Sequence, residues 1–269
     1  PSRGRRRRSP PDRGQTNEPA PRCRAKEGRE GSDSKPKTVG LDKSDSATKE
    51  TEEDENIKDY LSPFRYHLNK YLDKELSHNT TTMVKDIKTL EDGEMNMPIG
   101  NFFADAIYEQ ADGYFFKKKK RHIDFSLFNW GGIRSELAEG SITTRMVYQL
   151  MPFENQLVVA EVTGAQLYDM AKYLFDSKLP HPISNQVQLT MNTRGEVVSF
   201  LVNKKPVLRK KRYYVCTFDY LYNGGDRMNF FKNSLNVTNI SYNAREALID
   251  YLRKTDHIDF KSDGRFRIK

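Results

Sequence analysis

The spacing of apolar residues predicts that an ordered domain begins near residue 56. Between residues 57 and 76, large apolar side chains recur at helical spacing, at Phe64, Leu68, Tyr71, Leu72 and Leu76. Such spacing is typical of an amphipathic helix. Ser62 and Pro63 have the residue types preferred at an N-cap and at the first helical position. We therefore expect a leading helix within residues 56–80.

Helical and strand-like patterns alternate through the rest of the chain. Helical spacing predicts helices over "PIGNFFADAIYEQA", "SITTRMVYQLM", "TGAQLYDMAKYLF" and "NAREALIDYLRK". Alternating or continuous apolar runs predict strands over "TTMVKDIKTL", "HIDFSLFN", "QLVVAEV", "QVQLTM", "EVVSFLVN", "RYYVCTFDY" and "GRFRI". A turn at residues 192–195 predicts that "QVQLTM" and "EVVSFLVN" form a hairpin. This interleaving favours a mixed α/β (α+β) domain over residues 56–269, with a mixed sheet flanked by helices.

Composition separates a basic tail from this domain. Residues 1–55 contain few large apolar residues, so we expect them to be disordered. The first forty residues hold twelve Lys and Arg against five Asp and Glu, so they carry most of the net charge of +8. The nearly neutral remainder argues against nucleic-acid binding by the folded domain. The arginine-rich tail leaves RNA or anionic lipid binding open as an alternative, beside a plain solvated tail. No apolar run is long enough to span a bilayer.

Two glycine-pair motifs follow predicted buried strands. Asn129, Gly131, Gly132 and Arg134 come after "HIDFSLF", and the second motif repeats the plan with Asn223, Gly224, Gly225 and Asp226. Ligands often bind at strand ends, and glycine lets a ligand approach the backbone. A tight turn with a surface arginine is the alternative interpretation of the first motif.

Aromatic and amide residues complete the candidate site. Phe153 and Asn155 lie in "MPFEN", and Tyr220 precedes the second glycine pair. Two aromatic rings can stack on a planar base, while Arg134 and Asp226 suit sugar hydroxyls. This combination predicts binding of a planar ring attached to a sugar. No nucleophile–base pair is visible, so no catalytic residue is assigned.

The ordered motifs resemble the C-terminal domain of the 5′-nucleotidase family. The likeness runs from about Met83 to Lys269, through Asn-x-Gly-Gly-Ile-Arg, Pro-Phe-x-Asn, Thr-Gly-x-x-Leu and Asn-Gly-Gly-Asp. The resemblance implies that Phe153 and Tyr220 clamp a nucleobase and that Asp226 and Arg134 hold the ribose. It also implies that Asn129 and Asn155 lie near the base and that Gly131 and Gly132 form the binding loop. Asn223 and Gly225 are included in the predicted substrate site.

The resemblance also implies a partner. Family enzymes hydrolyse phosphate esters with two metal ions held by a metallophosphatase domain, and this chain shows no matching His and Asp motifs. We therefore expect no metal site or cofactor here, and a separately encoded metallophosphatase chain as the partner in nucleotide catabolism. The expected location, by family analogy, is periplasmic or extracellular.

Two further alternatives stay open. The domain could be a non-catalytic nucleoside-binding module, or the same fold could serve another phosphoester. Glu94 stands near a position where the family commonly has an arginine, so it could alter the preferred ligand.

Overall fold

The computed structural model of the protein describes residues 54–269. The predicted tail lies outside this range except for its last two residues. Asp54 and Glu55 begin the first helix, since the Asp54 carboxylate caps it by accepting hydrogen bonds from the backbone of Asn56 and Ile57.

The described residues form a mixed α/β fold, as predicted. The helices are α1 (Glu55–Leu72), α2 (Pro98–Lys119), α3 (Thr144–Leu150), α4 (Gly164–Ser177), α5 (Asp219–Tyr222) and α6 (Ala244–Leu252). The strands are β1 (Glu75–Asn79), β2 (Phe125–Ser126), β3 (Gly140–Thr143), β4 (Gln156–Thr163), β5 (Val187–Met191), β6 (Val197–Val202), β7 (Lys205–Pro206), β8 (Arg212–Phe218), β9 (Asn236–Asn243), β10 (His257–Ile258) and β11 (Phe266–Ile268).

The sheet that positions the candidate site has the strand order β2-β8-β4-β9. Strand β2 runs parallel to β8, and β4 runs antiparallel to both β8 and β9. Strand β8 is central and almost wholly buried, as its apolar sequence predicts. Helix α2 packs on this sheet, and the Phe103 ring makes edge contacts with Phe128 and Phe218 just beyond β2 and at the end of β8.

Two smaller sheets complete the fold. The predicted hairpin is present, because β5 and β6 pair antiparallel across the turn at residues 192–195. Strand β11, the predicted last strand, joins β5 in parallel. A third sheet has the order β10-β1-β3. Each glycine loop of the candidate site therefore follows a strand of the first sheet rather than of the smaller ones.

The leading helix both starts and ends earlier than predicted. Helix α1 ends at Leu72, and residues 75–79 form β1 instead of continuing the helix to residue 80. Its N-cap is Asp54 rather than Ser62, and Pro63 lies inside the helix. None of its residues is buried. The apolar spacing therefore identified a helix whose apolar residues are mostly exposed, with Leu61 and Leu72 partly buried.

Other strand assignments also differ from the sequence patterns. Residues 81–90 form no strand; they contain a 3-10 turn at Ile87–Thr89, and only Met83 makes a bridge, to Leu137. Strand β9 was not predicted, because its asparagines and serine obscure the apolar alternation. It is nevertheless formed because it pairs with the buried strand β4.

Candidate functional site

Two loops meet at one edge of the first sheet and enclose a cavity of about 330 Å³. The first loop follows β2 and the second follows β8, and these two strands are parallel neighbours. Their carboxyl ends therefore lie side by side, as the positions of the two motifs predict. The cavity is lined by Asn129, Gly131, Gly132, Arg134, Phe153, Asn155, Tyr220 and Asp226. These are eight of the ten residues predicted for the site.

The first loop is a tight 3-10 turn at Trp130–Gly132. The Gly132 amide donates a hydrogen bond to the Asn129 carbonyl at 3.0 Å. A Cβ atom at Gly132 would lie 2.8 Å from Asn129 Oδ1 and 3.3 Å from the Phe218 ring. Glycine is thus required at position 132, because the Asn129 side chain and the Phe218 ring leave no room for a Cβ atom. The Arg134 guanidinium closes the turn by donating to the Gly131 carbonyl at 3.3 Å.

Asp226 connects the two loops. One of its carboxylate oxygens accepts a hydrogen bond from Asn129 Nδ2 at 2.6 Å, and the other accepts from the Tyr220 hydroxyl at 3.0 Å. Asp226 has a left-handed backbone with φ of 49°. A short polar residue tolerates this conformation, and Gly224 before it also has positive φ. The backbone at Gly224–Asp226 therefore directs the carboxylate toward the first loop.

Two aromatic side chains at the cavity are partly exposed. Phe153 is 39% exposed and Tyr220 is 49% exposed. The Arg134 guanidinium carbon lies 5.5 Å from the Phe153 ring centroid. The hydrogen bond to the Asp226 carboxylate raises the pKa of Tyr220, so its hydroxyl stays protonated and donating at neutral pH. Both rings present apolar surface that a planar ligand could cover.

Asn223 and Gly225 do not line the cavity. The Asn223 side chain donates to the Asp219 carbonyl at 2.8 Å and so closes the end of α5. Gly225 lies behind the Tyr220 ring, since a Cβ there would lie 2.5 Å from two ring atoms. Both residues support the second loop, whereas the motif alone had placed them in contact with a ligand.

Sequence reasoning missed His181 and Tyr173, which lie behind the cavity. His181 Nδ1 accepts a hydrogen bond from the Trp130 amide at 3.1 Å, and the Tyr173 hydroxyl donates to the Asp226 carbonyl at 2.8 Å. Burial lowers the pKa of His181 to about 4, so the ring is neutral at pH 7. No motif indicates these residues, because Tyr173 lies in α4 and His181 in the segment after it, away from the glycine-pair motifs.

Glu94 does not line the cavity; it is buried, pairs with Arg267 and accepts a hydrogen bond from Asn96 at 2.6 Å. Within residues 54–269, no group of three or more His, Cys, Asp or Glu side chains is placed to hold a metal ion. Among the helices of residues 54–269, none has both the length and the apolar character of a membrane-spanning segment.

The family model described as "5′-nucleotidase, C-terminal domain" matches residues 77–233. This match covers more than half of the chain and includes both loops of the cavity. The chain belongs to the 5′-nucleotidase family. The resemblance read from the four motifs is thereby confirmed.

Curated relatives of this 5′-nucleotidase-family chain are considerably longer than the matched region. Trifunctional nucleotide phosphoesterase protein YfkN of Bacillus subtilis is 25% identical over 81% of this chain and 15% of its own length. Cell wall protein Lmo0130 of Listeria monocytogenes is 29% identical over 62% of this chain and 22% of its own. The 5′-nucleotidase of Vibrio cholerae is 22% identical over 79% of this chain and 37% of its own. The chain thus spans well under half the length of these relatives.

Solved structures share the fold. The 5′-nucleotidase precursor of Thermus thermophilus gives a TM-score of 0.62 at 19% identity, over 80% of this chain and 43% of that one. The NAD nucleotidase of Haemophilus influenzae gives a TM-score of 0.56 at 18% identity, over 80% and 42% respectively. At such identities the likeness establishes the architecture alone.

Proposed function

We propose that this domain binds a nucleoside or nucleotide with the base between Phe153 and Tyr220. The observation that carries the proposal is the placement of two partly exposed aromatic rings at one cavity together with Arg134 and Asp226. Stacking of a base on an aromatic ring contributes roughly 1–3 kcal/mol. The site offers a ring surface and charged groups at one place, which suits a base joined to a sugar.

In this proposal the sugar lies on the loop side of the cavity, next to the polar groups. A carboxylate has about four lone-pair positions, so Asp226 can accept from ribose hydroxyls while keeping its bonds to Asn129 and Tyr220. The Arg134 guanidinium uses one donor on the Gly131 carbonyl, which leaves further donors for ligand oxygens. Asn129 and Asn155 would then lie near the base.

We further propose that the domain is the substrate-recognition part of a 5′-nucleotidase-type hydrolase in nucleotide catabolism. Family membership supports hydrolysis of phosphate esters as the reaction class. The metal ions and the attacking water would come from a separately encoded metallophosphatase chain, because such chemistry needs a clustered set of His, Asp and Asn ligands. Helix α1 would dock that chain through its exposed apolar residues, which include Ile57, Tyr60, Phe64 and Leu68.

The location we propose is periplasmic or extracellular. Among the relatives, the Listeria monocytogenes protein is named as a cell wall protein. Extracellular salvage of nucleotides fits a phosphoester hydrolase that acts on phosphorylated substrates unable to cross a membrane freely.

Calorimetric titration of the full chain with adenosine tests the binding proposal. Phe153→Ala and Tyr220→Ala should each weaken binding about 5- to 150-fold, the equivalent of roughly 1–3 kcal/mol. Tyr60→Ala is the matched control, because this aromatic residue is 73% exposed on α1, outside the cavity. Equal affinity of all three variants and the wild type would rule out the clamp.

Phosphate release from AMP tests the proposal that a separate metallophosphatase chain supplies the catalytic metal ions. The purified chain with added divalent metal should release no phosphate above background, since the metal-binding half is proposed to reside in the partner. Addition of the partner metallophosphatase should produce metal-dependent release. Turnover by the chain alone at enzyme-like rates would refute the two-chain proposal without affecting the clamp.

A further inference from the structure

Three runs of lysine and arginine lie at the amino ends of the parallel strands β2 and β8. Residues 117–121 close α2 and lead toward β2, residues 204–205 lie at the turn from β6 to β7, and residues 209–212 enter β8. Every residue of these runs is a lysine or an arginine, and every one is exposed. We call the surface formed by the three runs the basic edge.

Hydrogen bonds bring the three runs together. The Asp124 amide donates to the Tyr214 carbonyl, and the Tyr214 amide donates to the Asp124 carboxylate, both at 2.8 Å. The Asn203 side chain donates to the Asp124 carbonyl at 3.3 Å. The Arg121 guanidinium carbon lies 5.6 Å from the centroid of the Tyr214 ring. The segments before β2, β7 and β8 are therefore neighbours in space although they are far apart along the chain.

The basic edge is weakly neutralised by the residues around it. Among residues 54–269, Arg212 is its one member in an ion pair, with Glu161 at 3.0 Å. The nearby carboxylates of Asp112 and Asp124 bond to a histidine and to the backbone of β8. The chain after residue 40 is nearly neutral overall, so its positive charge is concentrated at this edge.

Apolar side chains stand among these cations. Leu208, directly before the third run, is 61% exposed, and Phe116, directly before the first run, is 40% exposed. The loop that carries Leu208 is anchored, because the Gly164 amide at the start of α4 donates to the Lys211 carbonyl at 2.8 Å. Exposed apolar residues next to clustered lysines and arginines are typical of proteins that rest on an anionic membrane surface.

The aromatic rings beside the edge are already occupied. The Phe116 ring stacks on His122 with the centroids 4.7 Å apart, and the Tyr114 ring stacks on Tyr242 at 4.2 Å. The Lys120 ammonium also lies over the Phe116 ring, at 5.8 Å. Sites for single-stranded nucleic acid use free aromatic faces on which bases stack. The basic edge therefore suits a charged lipid surface better than nucleic acid.

We propose that the basic edge binds the surface of an anionic lipid bilayer. Its lysines and arginines approach the lipid head groups, while Leu208 and Phe116 enter the boundary between head groups and acyl chains. This contact places the domain on the membrane without crossing it.

The orientation keeps the nucleotide cavity in solution. The cavity lies at the carboxyl ends of β2 and β8, and the basic edge lies at their amino ends. The seven residues of β8 separate the two by roughly 20 Å, at about 3.3 Å per residue. The proposal thus goes beyond nucleotide binding and does not rest on it.

Co-sedimentation of the full chain with lipid vesicles tests the proposal. The wild type should bind vesicles of phosphatidylcholine mixed with phosphatidylglycerol and should not bind vesicles of phosphatidylcholine alone. A lysine variant that combines Lys117→Gln, Lys119→Gln and Lys210→Gln should bind the mixed vesicles about 100-fold more weakly, since each cation near an anionic surface strengthens binding about fivefold.

A second triple variant is the matched control for net charge. It combines Lys70→Gln, Lys88→Gln and Lys261→Gln, which are exposed lysines outside the basic edge. Its binding to the mixed vesicles should stay within about twofold of the wild type, because charges far from the contact are screened by salt. Far-UV circular dichroism verifies that both triple variants are folded.

Two further arms distinguish a lipid surface from nucleic acid. Leu208→Ser should weaken binding to the mixed vesicles about tenfold, because an apolar side chain no longer leaves water. Fluorescence anisotropy with a single-stranded RNA oligonucleotide measures the alternative. RNA binding that is lost in the lysine variant, with vesicle binding unchanged, would overturn the proposal and identify the edge as a nucleic-acid surface.

The remaining outcomes are equally decisive. Equal binding of the wild type to both kinds of vesicle, unchanged binding of the lysine variant, or equal weakening in the two triple variants would each overturn the proposal. Adenosine affinity should be the same in the lysine variant and the wild type, because the cavity lies at the opposite ends of the strands. Vesicle binding without adenosine binding would refute the proposed function and support the basic edge.

Discussion

Asp226 shows how a single residue brings two distant motifs into one site. Its carboxylate accepts from Asn129 of the first loop and from Tyr220 of the second. The sequence indicated that all three residues belong together, because each follows a buried strand or lies beside a glycine pair. It could not indicate that Asp226 is bonded within the protein before any ligand arrives, since that depends on the left-handed backbone at this position.

Gly225 is predicted to control the position of the Tyr220 ring. Gly225→Ala would place a Cβ 2.5 Å from that ring, which must then move. We expect adenosine affinity to fall about tenfold through lost stacking, with little change in the free energy of unfolding because the ring is half exposed. Calorimetry and urea unfolding check both effects.

Gly113→Ala provides the matched control for Gly225→Ala. A Cβ at Gly113 meets nothing within 4 Å, and the residue lies inside α2. The variant should be more stable by about 0.5–1 kcal/mol and bind adenosine normally. Loss of adenosine binding in Gly113→Ala, or normal binding in Gly225→Ala, would contradict this account of Tyr220.

His181 should make stability depend on pH. Burial lowers its folded-state pKa from 6.5 to about 4, so the unfolded chain takes up a proton first as the pH falls. The stabilising effect is complete above about pH 6.5, and up to about 3 kcal/mol is lost by pH 4. Protonation of Nδ1 would also remove the acceptor for the Trp130 amide.

Urea unfolding between pH 4 and pH 7 measures this effect. The wild type should lose stability relative to His181→Gln as the pH falls, whereas the exposed control His67→Gln should follow the wild type. Parallel curves for the wild type and His181→Gln would show that the imidazole does not titrate differently on folding.

At the scale of elements, the spacing of apolar residues along the sequence predicted the buried helices and strands best. Strands β4 and β8 and helices α4 and α6 lie where the apolar spacing placed them, because burial and pattern agree there. Strand β9 was missed and residues 81–90 were wrongly predicted as a strand. In both segments, pairing with a neighbouring strand determines whether a strand forms, and the local pattern does not show that pairing. The 3-10 turn at Ile87–Thr89 is stabilised by the Asp86 cap rather than by an apolar face.

Helix α1 depends on few contacts with the rest of the domain. Arg145 of α3 donates to Asp73 at 2.8 Å and to Asn69 at 2.9 Å, at the end of the helix. Arg145→Ala should therefore increase hydrogen exchange of the α1 amides and leave those of β8 unchanged. Hydrogen-exchange mass spectrometry measures both segments in one experiment.

Arg212→Ala is the control for Arg145→Ala. Arg212 of β8 forms an ion pair with Glu161 of β4, and neither residue belongs to α1 or α3. It should not affect exchange in α1. Unchanged exchange of α1 in Arg145→Ala would show that other contacts hold the helix.

At the scale of the whole molecule, a buried guanidinium links the end of the chain to α2. Arg265 forms two hydrogen bonds with the Asp105 carboxylate, at 3.0 and 2.9 Å, and it also bonds Asp263 and the Ile183 carbonyl. Burial raises the pKa of Asp105 despite this pairing. No sequence motif predicted the network, since its members are separated along the chain and have ordinary neighbours.

Arg265→Ala should destabilise the protein by about 3–5 kcal/mol, because it leaves the mostly buried Asp105 carboxylate without its guanidinium partner. The loss should be smaller at acidic pH, where Asp105 becomes protonated. Lys261→Ala, which removes an exposed ion pair with Asp259, should change stability by less than about 1 kcal/mol. Equal stability of the two variants in urea unfolding would contradict the role given to Arg265.

The nucleobase clamp is the central claim, and a crystal structure of the full chain with AMP tests it most directly. We predict the base between the Phe153 and Tyr220 rings, with the ribose hydroxyls on Asp226 and Arg134. A base bound outside this cavity, or an empty cavity at saturating AMP, would contradict it.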